Sequence, residues 1–181
     1  MPETITTLEK RREAERQKYL KLQPTGYGGT NHGKRAMATV LSWQPRFVVD
    51  FGCGRNDFIR ELRRRGVDGL GIDFAYYEAD IVAPMHAVPL AGGIADAVTS
   101  FDALEHLLPE DVDATLSEMR RVCRAGGRFI FSICTRPSRI TVEGQNLHPT
   151  VKPIEWWCDR IWRVGRVEST TGGYIAGVFH A

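Results

Sequence analysis

The feature that most constrains this chain is an alternation that begins at Arg46. Short apolar runs rich in β-branched and aromatic residues recur, separated by segments of helical period. Arg46–Phe51 reads as a buried strand. The helix predicted after it, over Asp57–Arg65, turns Phe58, Ile59 and Leu62 inward and is closed by Gly66. Further strands are predicted over Gly69–Phe74, Ala79–Val82, Ala97–Leu104 and Arg128–Ile133, and further helices over Pro109–Arg124 and Val151–Arg163. The helix over Pro109–Arg124 starts acidic and ends basic, as the helix dipole favours. Arg166–Thr170 and Tyr174–Phe179 read as two strands joined by Gly172-Gly173, a hairpin signal. Five strand–helix units followed by a hairpin predict an open α/β sheet, with helices on both faces. Such sheets bind ligands at the carboxyl ends of their strands, where the strand order reverses.

The chain has 181 residues, of which 43% are hydrophobic and 25% charged, enough for one buried core. That length excludes an ordinary TIM barrel or a two-domain dehydrogenase. Lys and Arg number 24 against 22 Asp and Glu, a net charge of +2, too small by itself to argue for a nucleic-acid partner. No apolar run approaches the ~20 residues that span a bilayer, and the first residues hold no apolar leader segment. The expectation is a cytoplasmic protein that does not enter membranes. Cys53, Cys123, Cys134 and Cys158 form no CxxC pair and match no zinc spacing, so reduced thiols and no metal are expected.

Ahead of the sheet, residues 1–45 read as helices and a lid-like loop, and residues 46–181 as the ligand-binding domain. Thr6 and Glu9 fit a capping box for a charged helix over Thr6–Leu22, expected to be solvated and to lie against the domain. A glycine-rich loop follows, carrying Tyr27 and His32, and then a helix over Lys34–Trp43.

The first strand ends in Asp50-Phe51-Gly52-Cys53-Gly54. Gly52 and Gly54 allow a tight turn and close approach of a ligand, and the next helix offers free N–H groups. Asp73 ends the second strand near the spacing expected of an acid that binds ribose hydroxyls. Together these features predict a nucleoside-containing ligand. A dinucleotide fingerprint would need a third glycine where Asp57 stands, and no G-K-[ST] phosphate loop exists.

Asp50-Phe51-Gly52-Cys53-Gly54 resembles the first motif of class I S-adenosylmethionine (SAM)-dependent methyltransferases. Ser100 to Leu107, with its Leu104-Glu105-His106-Leu107 ending, resembles the family's fourth motif, and Arg121 to Gly127 its turn before strand five. The resemblance covers about Arg46 to Phe179 and departs from the pattern at Asn56 and Ala125. It implies a Rossmann-like, seven-stranded, mostly parallel sheet with a C-terminal antiparallel hairpin. It also implies SAM as cofactor, with Asp50, Gly52, Cys53 and Gly54 near its methionine part and Asp73 and Phe74 at the ribose. By the same resemblance Asp80 and Ile81 lie at the adenine, and Phe101 and Asp102 on the adjoining fourth-motif wall.

His106 and His148 fall at the carboxyl edge of the sheet, where each can orient an acceptor or take its proton. Tyr27 and His32 are candidates for the substrate side of a lid. The acceptor is expected to be a small molecule methylated on oxygen or nitrogen. Two alternatives stand beside it: a SAM-binding regulatory protein without transferase activity, and a DNA or RNA methyltransferase. The latter arises because His148 to Pro153 resembles a segment of amino-directed DNA methyltransferases, although their Pro-Pro motif is missing after strand four. The oligomeric state is left open.

Overall fold

The computed structural model describes residues 7–27 and 32–181. The expected cap Thr6 and residues 28–31 of the glycine-rich loop lie outside them. In chain order the elements are α1 (Thr7–Leu22), a 3-10 turn (Gln23–Thr25), a 3-10 stretch (His32–Ala36), α2 (Met37–Ser42), β1 (Phe47–Phe51), α3 (Asp57–Arg64), β2 (Asp68–Asp73), β3 (Ile81–Val82) and β4 (Ala95–Phe101). Two 3-10 turns (Leu104–His106 and Pro109–Asp111) lead into α4 (Val112–Val122), β5 (Cys123–Ser132), a small hairpin of β6 (Thr141–Val142) and β7 (Gln145–Asn146), α5 (Ile154–Ile161), β8 (Gly165–Ser169) and β9 (Ile175–Phe179).

Seven strands form one sheet in the order β3-β2-β1-β4-β5-β9-β8. The first five run parallel, and β9 pairs antiparallel with both β5 and β8. The strand order reverses between β1 and β4. Alternation along β1 sends Val49 and Phe51 to one face and Val48 to the other. On the first face they pack with Leu116, Met119, Trp157 and Ile161 of α4 and α5. On the second, Val48 meets Met37 and Val40 of α2 and Phe58, Ile59 and Leu62 of α3. Each such side chain, fully buried, contributes about 1.5–3 kcal/mol. The seven-stranded sheet covered on both faces matches the fold class expected from the sequence.

Several local expectations change. β2 and β3 are joined by residues 74–80 without a helix, and β3 and β4 by residues 83–94 without one, so the five strand–helix units reduce to three helical crossovers. A helical crossover needs a dozen or more residues, and the 74–80 link is too short. The helix expected over Lys34–Trp43 begins as a 3-10 stretch, and the one over Val151–Arg163 starts only after Pro153. Residues 134–150 contain the β6–β7 hairpin, whose Glu143-Gly144 turn has φ of 51° and 76°. All four cysteines are free, and of them Cys123 alone is buried. No described helix is long and apolar enough to cross a membrane.

Candidate active site

The carboxyl ends of β1, β2 and β4 open into a cavity of about 890 Å³. It lies at the reversal of strand order, and Arg12, Arg16 and Tyr19 of α1 close its other side.

The loop after β1 forms the floor. Gly52 and Cys53 donate their N–H groups to the Ile72 carbonyl at 2.8 and 3.0 Å. Gly52, Gly54 and Asn56 take φ values of 76°, 51° and 64°. The Asp73 carboxylate accepts three backbone N–H groups, from Gly54 (3.1 Å), Ala75 (2.9 Å) and Tyr76 (3.1 Å). Burial raises its pKa while those amides oppose the rise. Asp50, also buried, accepts a 2.6 Å bond from the Thr99 hydroxyl, and burial pushes its pKa up to about 7. Burial also drives the Cys53 thiol well above its ordinary pKa.

Asp80 and Ile81, expected at the adenine, do not line the cavity. Asp80 sits behind the glycine loop, where its Oδ2 accepts from the Gly71 N–H (2.8 Å), the Asn56 amide (2.9 Å) and the Arg63 guanidinium (3.0 Å). Asn56 therefore makes no cap bond to α3, and its side chain ties the loop down instead. A Cβ on Gly71 would come within 2.0 Å of Asn56 Oδ1 and 2.8 Å of Cys53 Sγ, so glycine is required there. Val82, Ala83, Pro84, Met85 and His86 supply the wall expected of Asp80 and Ile81.

At the far end, His106 lies in the 3-10 turn after β4. Its Nδ1 is 2.7 Å from the Leu147 carbonyl and also meets the Tyr19 hydroxyl. A carbonyl only accepts, so Nδ1 carries the proton and Nε2 keeps its lone pair. Burial pushes the pKa of this imidazole down to about 4. The His148 ring stands 4.6 Å from it, edge to face. Neighbouring Glu105 is buried, which raises its pKa to about 8. His32 Nδ1 pairs with Asp102 Oδ2 at 2.7 Å, and Ser132 donates to Asp102 Oδ1 at 2.9 Å. That pairing raises the His32 pKa, and Asp102 is lowered despite its burial. Phe101 packs against Phe58 at 4.7 Å, and Gly33 fits between the two rings. Tyr27 lines the cavity and its carbonyl accepts the Tyr76 hydroxyl at 2.6 Å. Phe74 meets Tyr19 edge to face at 5.2 Å.

Residues 49–131 match the family model of a methyltransferase domain. That stretch is a methyltransferase domain, and the sheet around it has the fold of SAM-dependent methyltransferases. No curated protein sequence is significantly similar to it. Among solved structures, 1,6-didemethyltoxoflavin-N1-methyltransferase of Burkholderia thailandensis, with 1,6-didemethyltoxoflavin and S-adenosylhomocysteine bound, superposes with a TM-score of 0.74 at 12% identity, covering 100% of this chain and 94% of that one. A sugar N-methyltransferase from Streptoalloteichus gives 0.67 at 15%, covering 89% and 92%. A TehB-like SAM-dependent methyltransferase from Corynebacterium glutamicum gives 0.60 at 16%, covering 93% and 96%.

Of the residues singled out from the sequence, the cavity gathers Asp50, Gly52, Cys53, Gly54, Asp73, Phe74, Phe101, Asp102, His106, His148, Tyr27 and His32, leaving out Asp80 and Ile81. Sequence reasoning missed the α1 contribution. Arg12, Arg16 and Tyr19 recur at i, i+4 and i+7, a single helical face, and all three line the cavity. That spacing was available as a signal beneath the helix's charge. His86, Glu105 and Cys134 also line it and carried no assigned role.

Proposed function

We propose that the enzyme transfers a methyl group from SAM to a nitrogen or oxygen atom of a small molecule. The observation that carries this is a single cavity running from the Gly52–Gly54 loop to His106 beneath α1. Its volume, about 890 Å³, lies in the range of sites that enclose small ligands. Two structural neighbours are named as methyltransferases of small molecules or sugars at nitrogen, in keeping with this acceptor class.

The residues present fit the cofactor. Gly52, Cys53 and Gly54 present backbone to its methionine part, and buried Asp50 supplies the acid that a cationic ligand calls for. Asp73 and Phe74 hold the ribose, and Val82 to Met85 give the adenine an apolar wall. Phe101 and Asp102 complete the fourth-motif side. Bound SAM supplies an electrophilic methyl on a sulfonium. His106 Nε2, held in its tautomer by Leu147, takes the acceptor's proton. Tyr27 and the His32–Asp102 pair bound the acceptor's side, and residues 1–45 serve as the lid. Four free thiols favour a reducing, cytoplasmic setting.

The segment that raised a nucleic-acid acceptor has a structural account. The Thr150 hydroxyl donates to the Leu107 carbonyl at 2.6 Å and its N–H to the Glu105 carbonyl at 3.2 Å, pinning the 147–153 segment to the His106 turn. The test is calorimetry with S-adenosylhomocysteine, followed by radiolabelled SAM with separate metabolite, protein and nucleic-acid pools. D73A is expected to weaken binding at least tenfold, and H106A to spare binding while losing about 100-fold in turnover. Labelling of nucleic acid alone, or binding without any labelled product, would overturn the small-molecule reading.

A further inference from the structure

Three side chains of ligand type, unused by the roles above save for His148, meet at one wall of the cavity. A carboxylate oxygen of Glu105, the Cys134 thiol and a His148 ring nitrogen all lie within 4.8 Å of one another. Each of the three residues lines the cavity. Glu105 is 0% exposed. Its Oε1 accepts the Cys134 N–H at 3.1 Å, while Oε2 is buried and has no hydrogen-bond partner among the described residues. A buried carboxylate oxygen left unpaired is costly, and such an atom calls for a partner.

His148 is prepared in a complementary way. Its Nδ1–H donates to the Arg136 carbonyl at 2.6 Å, which leaves the Nε2 lone pair as its ligand atom. A carbonyl on the far nitrogen is the usual orienting partner of a metal-bound imidazole. The backbone is fixed as well, since the His148 N–H donates to Asn146 Oδ1 at 2.9 Å.

We propose that Glu105, Cys134 and His148 form a zinc site on the wall of the methyl-transfer cavity, with its fourth position open to a nitrogen, oxygen or sulfur atom of the acceptor. Thiolate and imidazole together suit zinc, whereas magnesium and calcium take oxygen ligands. Three protein ligands with one open position is the arrangement of reactive rather than structural zinc. Bonds of about 2.0–2.3 Å place tetrahedral ligand atoms about 3.5 Å apart, so the three side chains close in by about 1 Å on binding. Cys134 and His148, both half-buried on the segment between β5 and α5, supply that movement. On binding, the Cys134 thiol and any proton on Glu105 pass their protons to water. One thiolate and one carboxylate then balance the ion's two charges.

The test reads the metal alone and needs no methyl transfer, so its outcome is separable from the activity assay. Tag-free full chain is stripped with a chelator, dialysed and titrated with cobalt(II), then with zinc against a fluorescent chelator. Expected are one ion per chain and a thiolate-to-cobalt charge-transfer band in the near ultraviolet. C134S abolishes the band, and C134S and H148A each weaken zinc binding at least tenfold with unchanged circular dichroism. C158S, a half-buried thiol outside the cavity, keeps both. E105Q tests the carboxylate, but its loss also risks the fold, so C134S and H148A decide. A stripped chain that takes up no cobalt, or binding that survives both variants, overturns the site.

Discussion

Asp50 offers the sharpest test of how the cavity is poised. Its carboxyl is buried at the end of β1, with the Thr99 hydroxyl as a 2.6 Å donor and the buried Asp73 as its charged neighbour. The rise from 3.8 to about 7 means that the folded protein holds this proton far more tightly than the unfolded chain. At about 1.36 kcal/mol per pH unit, the ionised form costs the ligand-free fold about 4 kcal/mol. The sign follows from proton counting. Below pH 4 the group is neutral in both states and costs nothing. Between about 4 and 7 the unfolded chain loses its proton while the folded one keeps it, so stability falls as pH rises. Above 7 the loss is complete and flat. D50N keeps an acceptor for Thr99 and removes the titration. In urea denaturation across pH 4 to 8, D50N is therefore expected to gain on the wild type by up to about 4 kcal/mol, nearly all of it before pH 7. Titrating groups that do not sense the Asp50 charge cancel in that difference, and the coupling to Asp73 adds to the Asp50 effect. SAM, with its sulfonium and ammonium charges, reverses the ranking: it favours ionised Asp50, and calorimetry in buffers of different ionisation enthalpy should show proton release near pH 6 that D50N lacks. A stability difference that does not vary with pH, or a D50N protein less stable than the wild type throughout, would refute the reasoning.

Two further perturbations probe the loop and the roof. G71A places a Cβ 2.0 Å from Asn56 Oδ1, and the overlap is expected to cost about 1–3 kcal/mol and to displace the glycine loop. Thermal unfolding and S-adenosylhomocysteine calorimetry should fall together, and a variant that binds like the wild type would show that the loop does not need this anchor. R12A removes the guanidinium whose Nε lies 3.1 and 3.0 Å from the two Asp111 oxygens. Asp111 is then left buried without its cation, at a cost of about 1–3 kcal/mol. Hydrogen exchange in α1 should quicken and S-adenosylhomocysteine should dissociate faster, whereas unchanged exchange would mean that the roof is held elsewhere.

What the sequence revealed and what it hid divide along a physical line. The glycine turn after β1, the acid ending β2 and the inward faces of α3 and α4 are set by residues a few positions apart, so their periodicity and chemistry are readable. The direction of Asp80 was not readable because β3 is two residues long, too short to show which way a side chain points, and the seven-residue link before it brings Asp80 under the glycine loop. The His106 end of the cavity is assembled across long stretches of chain: His32 with Asp102, Tyr19 with His106, and Glu105 with Cys134 and His148. No local pattern encodes such meetings, since the sheet brings them together only after β4 and β5 have paired. α1 stands between the two cases. Its charges suggested a helix facing water, yet Arg12 and Arg16 spend theirs on Asp111 and the Phe74 carbonyl while Tyr19 is buried over the cavity. A helix with little apolar surface gains little from burial itself, so α1 is fixed here by ion pairs and by Tyr19, with Leu20 and Leu22 packed beside it.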